Sequence, residues 1–258
     1  MIQRLLIVGT GNAAWHLGHA CLAAGITIQG VVARDAMKGR ALAEALGGVP
    51  YFAMYNNLPD ADAYLLAVRD DAIEEVAKQL GDARQLMIHC SGSMRADVLN
   101  QKQNPYGVLW PMHSLQKDAP DSLQHALIAV QGSDTDIQQQ IFELASRISE
   151  RAMLVEEHQR MAMHMCAVWV NNYTNHMLHI GFSLLREHGV DHRLFMPMLR
   201  NHMAALESHT PDQIQTGPAK RGEMQTLERH RQLLHNHPDL QQIYDTLAEH
   251  ILNTYLKR

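Results

Sequence analysis

Several features that would announce a functional class are scarce in this chain. Lysine supplies only 6 of the 22 basic residues, and 27 acidic residues leave a formal charge of −5. Without a cationic excess, neither nucleic acid nor an anionic membrane is expected as the main partner. The three cysteines, Cys21, Cys90 and Cys166, form no C-x-x-C pair and leave an odd one out. Neither a disulfide framework nor a zinc ribbon is indicated, and a reducing cytoplasm is the expected compartment. Leu5–Val8, the first apolar run, passes directly into glycines and is too short for a signal peptide or a membrane span. No other stretch approaches about twenty apolar residues. Histidine is abundant, at 17, yet no H-E-x-x-H or similar pattern accompanies it. His16/His19 and His176/His179 are helically spaced pairs without a third ligand, so no metal is expected.

What is present is a sizeable core. With 258 residues, 46% of them hydrophobic, the chain can fold as two modest domains. The first part alternates short β runs with helical segments. Arg4–Val8, Thr27–Ala33, Ala63–Val68, Gln85–His89, Tyr106–Leu109, Ala126–Gln131 and Ala152–Glu156 read as strands. Asn12–Ala24, Ala36–Leu46 and Asp71–Leu80 read as helices, closed by Gly25, Gly47-Gly48 and Gly81. This alternation predicts an α/β fold with a doubly wound, mostly parallel sheet over residues 1–156. From Glu157 to Glu187 there is no proline, and Met, Leu and Val recur at helical spacing. One helix of some thirty residues is expected there, opening an all-helical domain over 157–258. Its Met-rich surface suits an oligomer interface, and a homodimer is expected.

VGTGNAA places Gly9, Gly11 and Ala14 as G-x-G-x-x-A between the first strand and the first helix. Gly9 permits the tight turn, Gly11 lets a pyrophosphate approach the backbone, and Ala14 allows close helix–strand packing; the helix N-terminus faces the anion. A dinucleotide is the expected ligand. At the tip of the second strand, where an NAD site places an acid on the ribose hydroxyls, stands Arg34, whose guanidinium can fork onto a 2′-phosphate. NADP is therefore expected, although Asp35 follows immediately. Arg34 also argues against an adenosylmethionine-dependent methyltransferase. A short-chain dehydrogenase is excluded because no tyrosine has a lysine four positions later. His89-Cys90-Ser91-Gly92-Ser93 lacks the G-x-S-x-G frame of a hydrolase elbow. It ends a strand at the carboxyl edge of the sheet, where Ser91 or Gly92 is expected to hold substrate or the nicotinamide amide.

The segments VGTGNAAWHL, LAVRDDAI, HCSGS, GVLWPMHSL, HMCAVWVNNYTNHM and TGPAKRGEMQTLERH together resemble the 6-phosphogluconate dehydrogenase-like superfamily. More closely, they resemble a bacterial family of Rossmann-like NADP oxidoreductases with a second domain of unknown function. The resemblance spans nearly the whole chain. It implies an N-terminal Rossmann domain, a helical dimerisation domain, and an active site in the cleft between them. By the same resemblance Gly9, Thr10, Gly11, Asn12 and Ala13 would take the pyrophosphate, Arg34 the 2′-phosphate, and Val68-Arg69 would border the nicotinamide ribose. Where the family commonly reads Leu-Gln-Thr-Phe this chain has Met112-His113-Ser114-Leu115, so the role of that glutamine does not transfer, and His113 is either its substitute or a surface residue. Arg221 in GPAKRGE is a candidate carboxylate anchor.

The chemistry is expected on the long helix. At 100° per residue His164, Asn171 and Asn175 fall within roughly 20° of one line, with Asn172 and His176 in the adjacent row. Such a stripe either lines a cleft or stitches helices together. Read as a site, it makes His164 the proton donor, Asn171 and Asn175 the orienting partners, and Ser91 the group approaching from the Rossmann side. Many relatives in the wider superfamily put a Lys or His and an Asn on this helix to protonate and orient the substrate; here no lysine lies on it. Two functions therefore stay open: an NADP-dependent oxidoreductase acting on a small carbonyl or imine, and a non-catalytic NADP-binding redox sensor.

Overall fold

The structure, a computed structural model, describes residues 1–80, 85–101, 103–116 and 123–256. Eight strands form one sheet: β1 (Arg4–Val8), β2 (Thr27–Val32), β3 (Tyr51–Phe52), β4 (Ala63–Leu66), β5 (Leu86–His89), β6 (Tyr106–Met112), β7 (Leu127–Gly132) and β8 (Arg151–Leu154). Their order is β3-β2-β1-β4-β5-β6-β7-β8, parallel throughout except for the antiparallel β6/β7 pair. Every residue of β4 and β5 is buried, which is why both read as unbroken apolar runs rather than as alternating ones.

The two faces of the sheet are legible in β1 alone. Leu5 and Ile7 pack in one layer with Leu17 of α1 (Asn12–Ala23), Leu42 of α2 (Ala36–Ala45) and Leu144 of α4 (Thr135–Ile148). Leu6 and Val8 pack in the other with Ile73 and Val76 of α3 (Asp70–Gln79). Side chains alternate across a strand, so a sheet covered on both sides needs this apolar-on-apolar sequence. The chain leaves β1 for β2 and β3 in one direction and returns to β4 on the other side. The reversal between β1 and β4 is the topological switch point, where ligands of open α/β sheets bind beyond the strand carboxyl ends.

The expected strands and helices of the first part are present with shifts of a few residues at their ends. Two differences have simple causes. β3 is too short for any periodicity to reveal. β6 runs on through Pro111 to Met112, whereas the sequence reading stopped it at Leu109; its pairing with β5 ends at Val108, and with a neighbour on one side only a missing N–H is tolerated. Gly81, the expected stop of the third helix, lies outside the described residues.

The expected long helix is one helical run of three parts: α5 (Glu157–Ala167), a π-helical stretch Val168–Tyr173, and α6 (Thr174–Glu187). Gly189, at φ 68°, follows its end. The remaining helices are α7 (Met196–Leu206), α8 (Pro211–Ile214), α9 (Pro218–Arg221), α10 (Met224–Leu233) and α11 (Pro238–Tyr255). The chain divides into two compact units, Met1–Met177 and Leu178–Arg258, so the division falls inside this run rather than at the expected 156/157. The reason is that α5 is anchored to the sheet by its own side chains. Among the described residues no helix is long and apolar enough to cross a membrane.

Candidate dinucleotide site and sheet-edge loop

The turn between β1 and α1 has its glycines for different reasons. Gly9 sits at φ 116°, and a Cβ there would collide with the carbonyl of Ala67 at the end of β4. Gly11 is the opposite case: a Cβ would meet nothing within 4 Å. Its openness leaves the backbone accessible from the groove. Gly11 is also the N-cap of α1 and offers no side-chain acceptor, so the first N–H groups of the helix point outward without an intrahelical partner. The groove in front of them, about 1080 Å³, is lined by Gly9–Ala13, Arg34, Lys38, Tyr55 and Val68-Arg69. Anion-seeking N–H groups and the cations Arg34 and Lys38 in one groove fit a dinucleotide carrying a 2′-phosphate.

Each expected cofactor residue lines this groove, and two have prior engagements. The Asn12 side chain donates to the Leu115 carbonyl at 2.7 Å, leaving its backbone for the phosphate. The Arg69 guanidinium pairs with Asp71 at 2.6 Å. Asp35, which complicated the choice of dinucleotide, is committed elsewhere. Its carboxylate caps α2 by accepting from the Lys38 N–H at 3.0 Å and lies 3.5 Å from the Lys38 ammonium. Hydrogen bonding by the Lys38 N–H is the leading cause that holds its pKa below the usual carboxylate value. The N-cap bond and the Lys38 ammonium together draw this carboxylate towards α2.

The second cluster lies beyond the carboxyl end of β5. The Ser91 hydroxyl, expected to face substrate, is instead inside the loop. It accepts from the N–H groups of Ser93 (3.1 Å) and Met94 (3.0 Å) and lies 3.3 Å from the Ser93 hydroxyl. Ser93 in turn donates to Asp70 at 2.6 Å, tying this loop to the start of α3 beside the groove. His89 is fully buried; its Nδ1 accepts from the Ser91 N–H at 3.1 Å and its Nε2 lies 3.2 Å from the Arg95 carbonyl. This pairing requires the neutral tautomer protonated at Nε2. Burial first, and the nearby Arg160 charge second, pull the His89 pKa down to about 4.

Sequence reasoning missed the residue that holds this loop. Arg160 on α5 is 0% exposed. Its Nη1 donates to the carbonyls of Ser91 (3.1 Å) and Gly92 (2.9 Å), and its Nε to Gln131 at 3.3 Å. Nη2 has no hydrogen-bond partner and lies 3.8 Å from Glu157. Four residues on, His164 tilts against Trp110 with ring centroids 5.7 Å apart. Gly92 fits between them: a Cβ there would stand 2.6 Å from His164 Cδ2 and 2.6 Å from Trp110 Cε2. His164 and the Ser91-Gly92 loop, predicted separately, are thus brought together.

Asn171 and Asn175 are both exposed, which argues against a buried network within the chain. Their alignment with His164 assumed an uninterrupted α-helix, and the π-helical stretch that contains Asn171 invalidates that count. Arg221, in the second unit, is 56% exposed at its side chain and pairs with Glu223 at 2.6 Å. An incoming carboxylate would compete with that pair. His113 is exposed. Among the described residues no His, Cys, Asp and Glu side chains group to hold a metal.

A β1–α1 anion site at the switch point of a parallel sheet, with a basic wall after β2, defines a dinucleotide-binding oxidoreductase fold. Residues 4–92 match the family described as NADP oxidoreductase, coenzyme F420-dependent, and residues 126–251 match the domain of unknown function DUF2520. The chain belongs to the Rossmann-like NADP oxidoreductases that carry this second domain, and NADP is its dinucleotide. It is similar to a proposed NADP oxidoreductase from Bacteroides fragilis, with TM-score 0.90 and 25% identity over 98% of both chains. A reductive aminase from Aspergillus terreus, solved with NADPH and ethyl levulinate, shares the fold at TM-score 0.72 and 16% identity over 98% of this chain and 95% of that one. A 1-pyrroline-5-carboxylate reductase from Streptococcus pyogenes does so at 0.64 and 15% over 97% and 98%. No curated protein matches the chain.

Two outcomes follow from this geometry. Gly11→Val should fold normally, since its Cβ enters open space, and lose NADPH binding in a fluorescence titration; a folded variant that still binds would make the loop merely structural. His89 has a folded pKa below its ordinary value of about 6.5, so it contributes stability above that value that is lost as pH falls towards about 4. Urea unfolding should register a fall of up to about 3 kcal/mol across this window, and His89→Gln should abolish that part of the pH dependence.

Proposed function

We propose that the protein transfers a hydride between NADPH and a small carbonyl or imine substrate, in the cytoplasm, as a homodimer. The observation that carries the reading is the packing of His164 against Gly92 and Trp110, on a loop that Ser93 ties to Asp70 beside the dinucleotide groove. When bound, NADPH supplies the hydride. The chain's own residues then have to hold the substrate and neutralise charge on the reduced oxygen or nitrogen. His164, an imidazole at the sheet's carboxyl edge, is the proton donor. The Ser91 hydroxyl fixes the loop shape rather than touching substrate, and Arg221 is the proposed anchor for a substrate carboxylate. Reductive aminase and pyrroline-carboxylate reductase activities among proteins of the same fold support the imine or carbonyl class. The dimer is supported by the exposed apolar surface of the long helical run, including Met165, Trp169 and Tyr173.

The test is a panel of ketones, keto acids and cyclic imines, following NADPH absorbance. Turnover of any member is expected, and His164→Ala should lower it by about 10²–10⁴-fold with NADPH affinity nearly unchanged. NADPH binding with no turnover across the panel would favour the non-catalytic sensor, which the absence of a lysine on the helix also favours. Arg34→Ala should remove about 1–3 kcal/mol of preference for NADPH over NADH; unchanged preference would reject that assignment. Light scattering should give about twice 29.1 kDa, and a monomer at micromolar concentration would remove the dimer alone.

A further inference from the structure

We infer that β8 (Arg151–Leu154), the edge strand of the sheet, pairs antiparallel with β8 of a second copy of the chain across a two-fold axis at Met153, joining two eight-stranded sheets into one. The inference takes its partner from the proposed homodimer and goes beyond it by assigning a contact and its register.

The pairing with β7 settles which backbone groups of β8 point outward. The Val155 N–H donates to the Val130 carbonyl at 3.0 Å, and Val130 lies opposite Leu154. Along a strand the bonding groups of successive residues alternate between its two sides. Met153 and Val155 therefore bond inward to β7, while Ala152 and Leu154 turn their N–H and C=O groups away from it. Among the described residues nothing else takes these four groups. The next outward N–H on either side is already used: that of Glu150 donates to the Gln124 carbonyl at 2.8 Å, and that of Glu156 to the Gln159 side-chain oxygen at 2.9 Å.

One antiparallel register satisfies all four groups with those of an identical strand. Ala152 stands opposite Leu154 of the second copy, Leu154 opposite its Ala152, and the two Met153 residues face each other at the centre. Each Ala152–Leu154 pair exchanges two hydrogen bonds, so no free group is left over. Sliding by two residues in either direction would draw Glu150 or Glu156 into the ladder, and their N–H groups are engaged. Sliding by one would set outward groups against inward ones. A two-fold contact has to be self-complementary, and the free groups of this edge are complementary to themselves.

The side chains agree with this register. Edge strands that stay single carry charges or proline to repel a neighbour, yet Met153 and Leu154 are apolar and 45% and 43% exposed. At the axis the two Met153 side chains pack on each other. Arg151, the one charge within the strand, comes diagonal to Glu157 of the second copy on the same face, within reach of a long side chain. The acids that come opposite each other beyond the ladder are held by their own chain. Glu150 is bound by Gln124 at 2.8 Å and His125 at 3.1 Å, and Glu156 by the capping box that opens α5.

The test combines disulfide trapping with light scattering on the full chain. In a Cys166→Ser background Met153→Cys places two thiols on the axis with Cα atoms about 4.5 Å apart, within disulfide reach. Arg151→Cys places its two about 13 Å apart, four residues out of step. Under a mild oxidant Met153→Cys should give at least about tenfold more covalent dimer than Arg151→Cys on a non-reducing gel. Leu154→Pro removes an outward N–H that the fold does not use, so it should fold and bind NADPH as the parent does, while its dimer dissociates at a concentration at least about tenfold higher. A dimeric parent whose Met153→Cys variant does not cross-link, or whose folded Leu154→Pro variant stays as tightly dimeric, would overturn the β8 pairing and leave the homodimer to another face. More covalent dimer from Arg151→Cys than from Met153→Cys would overturn the register. A monomeric parent would sink the homodimer itself, and the pairing with it. If Leu154→Pro does not fold, the two cysteine variants decide alone.

Discussion

The buried guanidinium of Arg160 is the interaction on which the arrangement of the site depends. Taking a cation out of water costs several kcal/mol unless partners replace the lost hydration. Here the replacements are the Ser91 and Gly92 carbonyls and the Gln131 side-chain oxygen. Hydrogen bonds to a charged group contribute about 1.5–3 kcal/mol each, so three of them can offset the burial, and removing any one leaves a charge stranded. The consequence is geometric. A helix that would otherwise begin a separate unit is fixed to the end of β5, and His164 stands one turn from the anchor. The same cation disfavours protonation of His89, which keeps the imidazole beneath the loop neutral and its two hydrogen bonds intact.

The dinucleotide end obeys a different economy, in which local charges are disposed of by the helices themselves. Asp35 would be an obstacle to a 2′-phosphate if its carboxylate faced the ribose. Using it as the N-cap of α2 satisfies a helix donor and turns the charge towards Lys38. Arg34, one residue earlier and exposed, remains for the phosphate. The two adjacent residues look contradictory as letters but are consistent as geometry. On the other side of the switch point, Gly9 is required by the approach of the Ala67 carbonyl, and Gly11 by nothing within the protein. A glycine whose absence of Cβ serves no packing purpose points to what must come close from outside.

The sequence was legible where period and composition act locally. β1, α1, β2 and α2 emerged within a residue or two because apolar runs, capping residues and terminal glycines mark them directly. The phosphate turn was legible for the same reason. The rest was not, and each case has its cause. Arg160 reads as an ordinary solvated arginine, since nothing nearby in sequence betrays that three acceptors from distant segments converge on it. Ser91 sits at the right edge of the sheet, but its hydroxyl is consumed by N–H groups two and three residues on. The π-helical turn is invisible because Val168–Tyr173 satisfies α-helical periodicity equally well. One extra residue per turn changes no composition and yet reassigns every face beyond it.

Among the described residues from Leu178 onward, the buried hydrophobic ones are Ala219, Leu227, Leu234 and Ala248, and α6 and α7 bury none. Burying a large apolar side chain contributes about 1.5–3 kcal/mol, while ordering each residue's backbone costs about 1–2 kcal/mol. The fully buried core of this unit is therefore small, with Tyr244, Ile251 and Leu252 packed partly buried against it. The apolar side chains its helices expose are numerous, among them Leu194, Met198, Met203 and Leu233. An exposed apolar surface of this kind marks a face that something covers. A second copy brings the same Met-rich surface to the contact, and methionine's flexible, polarisable side chain suits a face that must pack against itself. In the proposed dimer the partner would cover the exposed apolar side chains of the long helical run, Met165, Trp169 and Tyr173 among them.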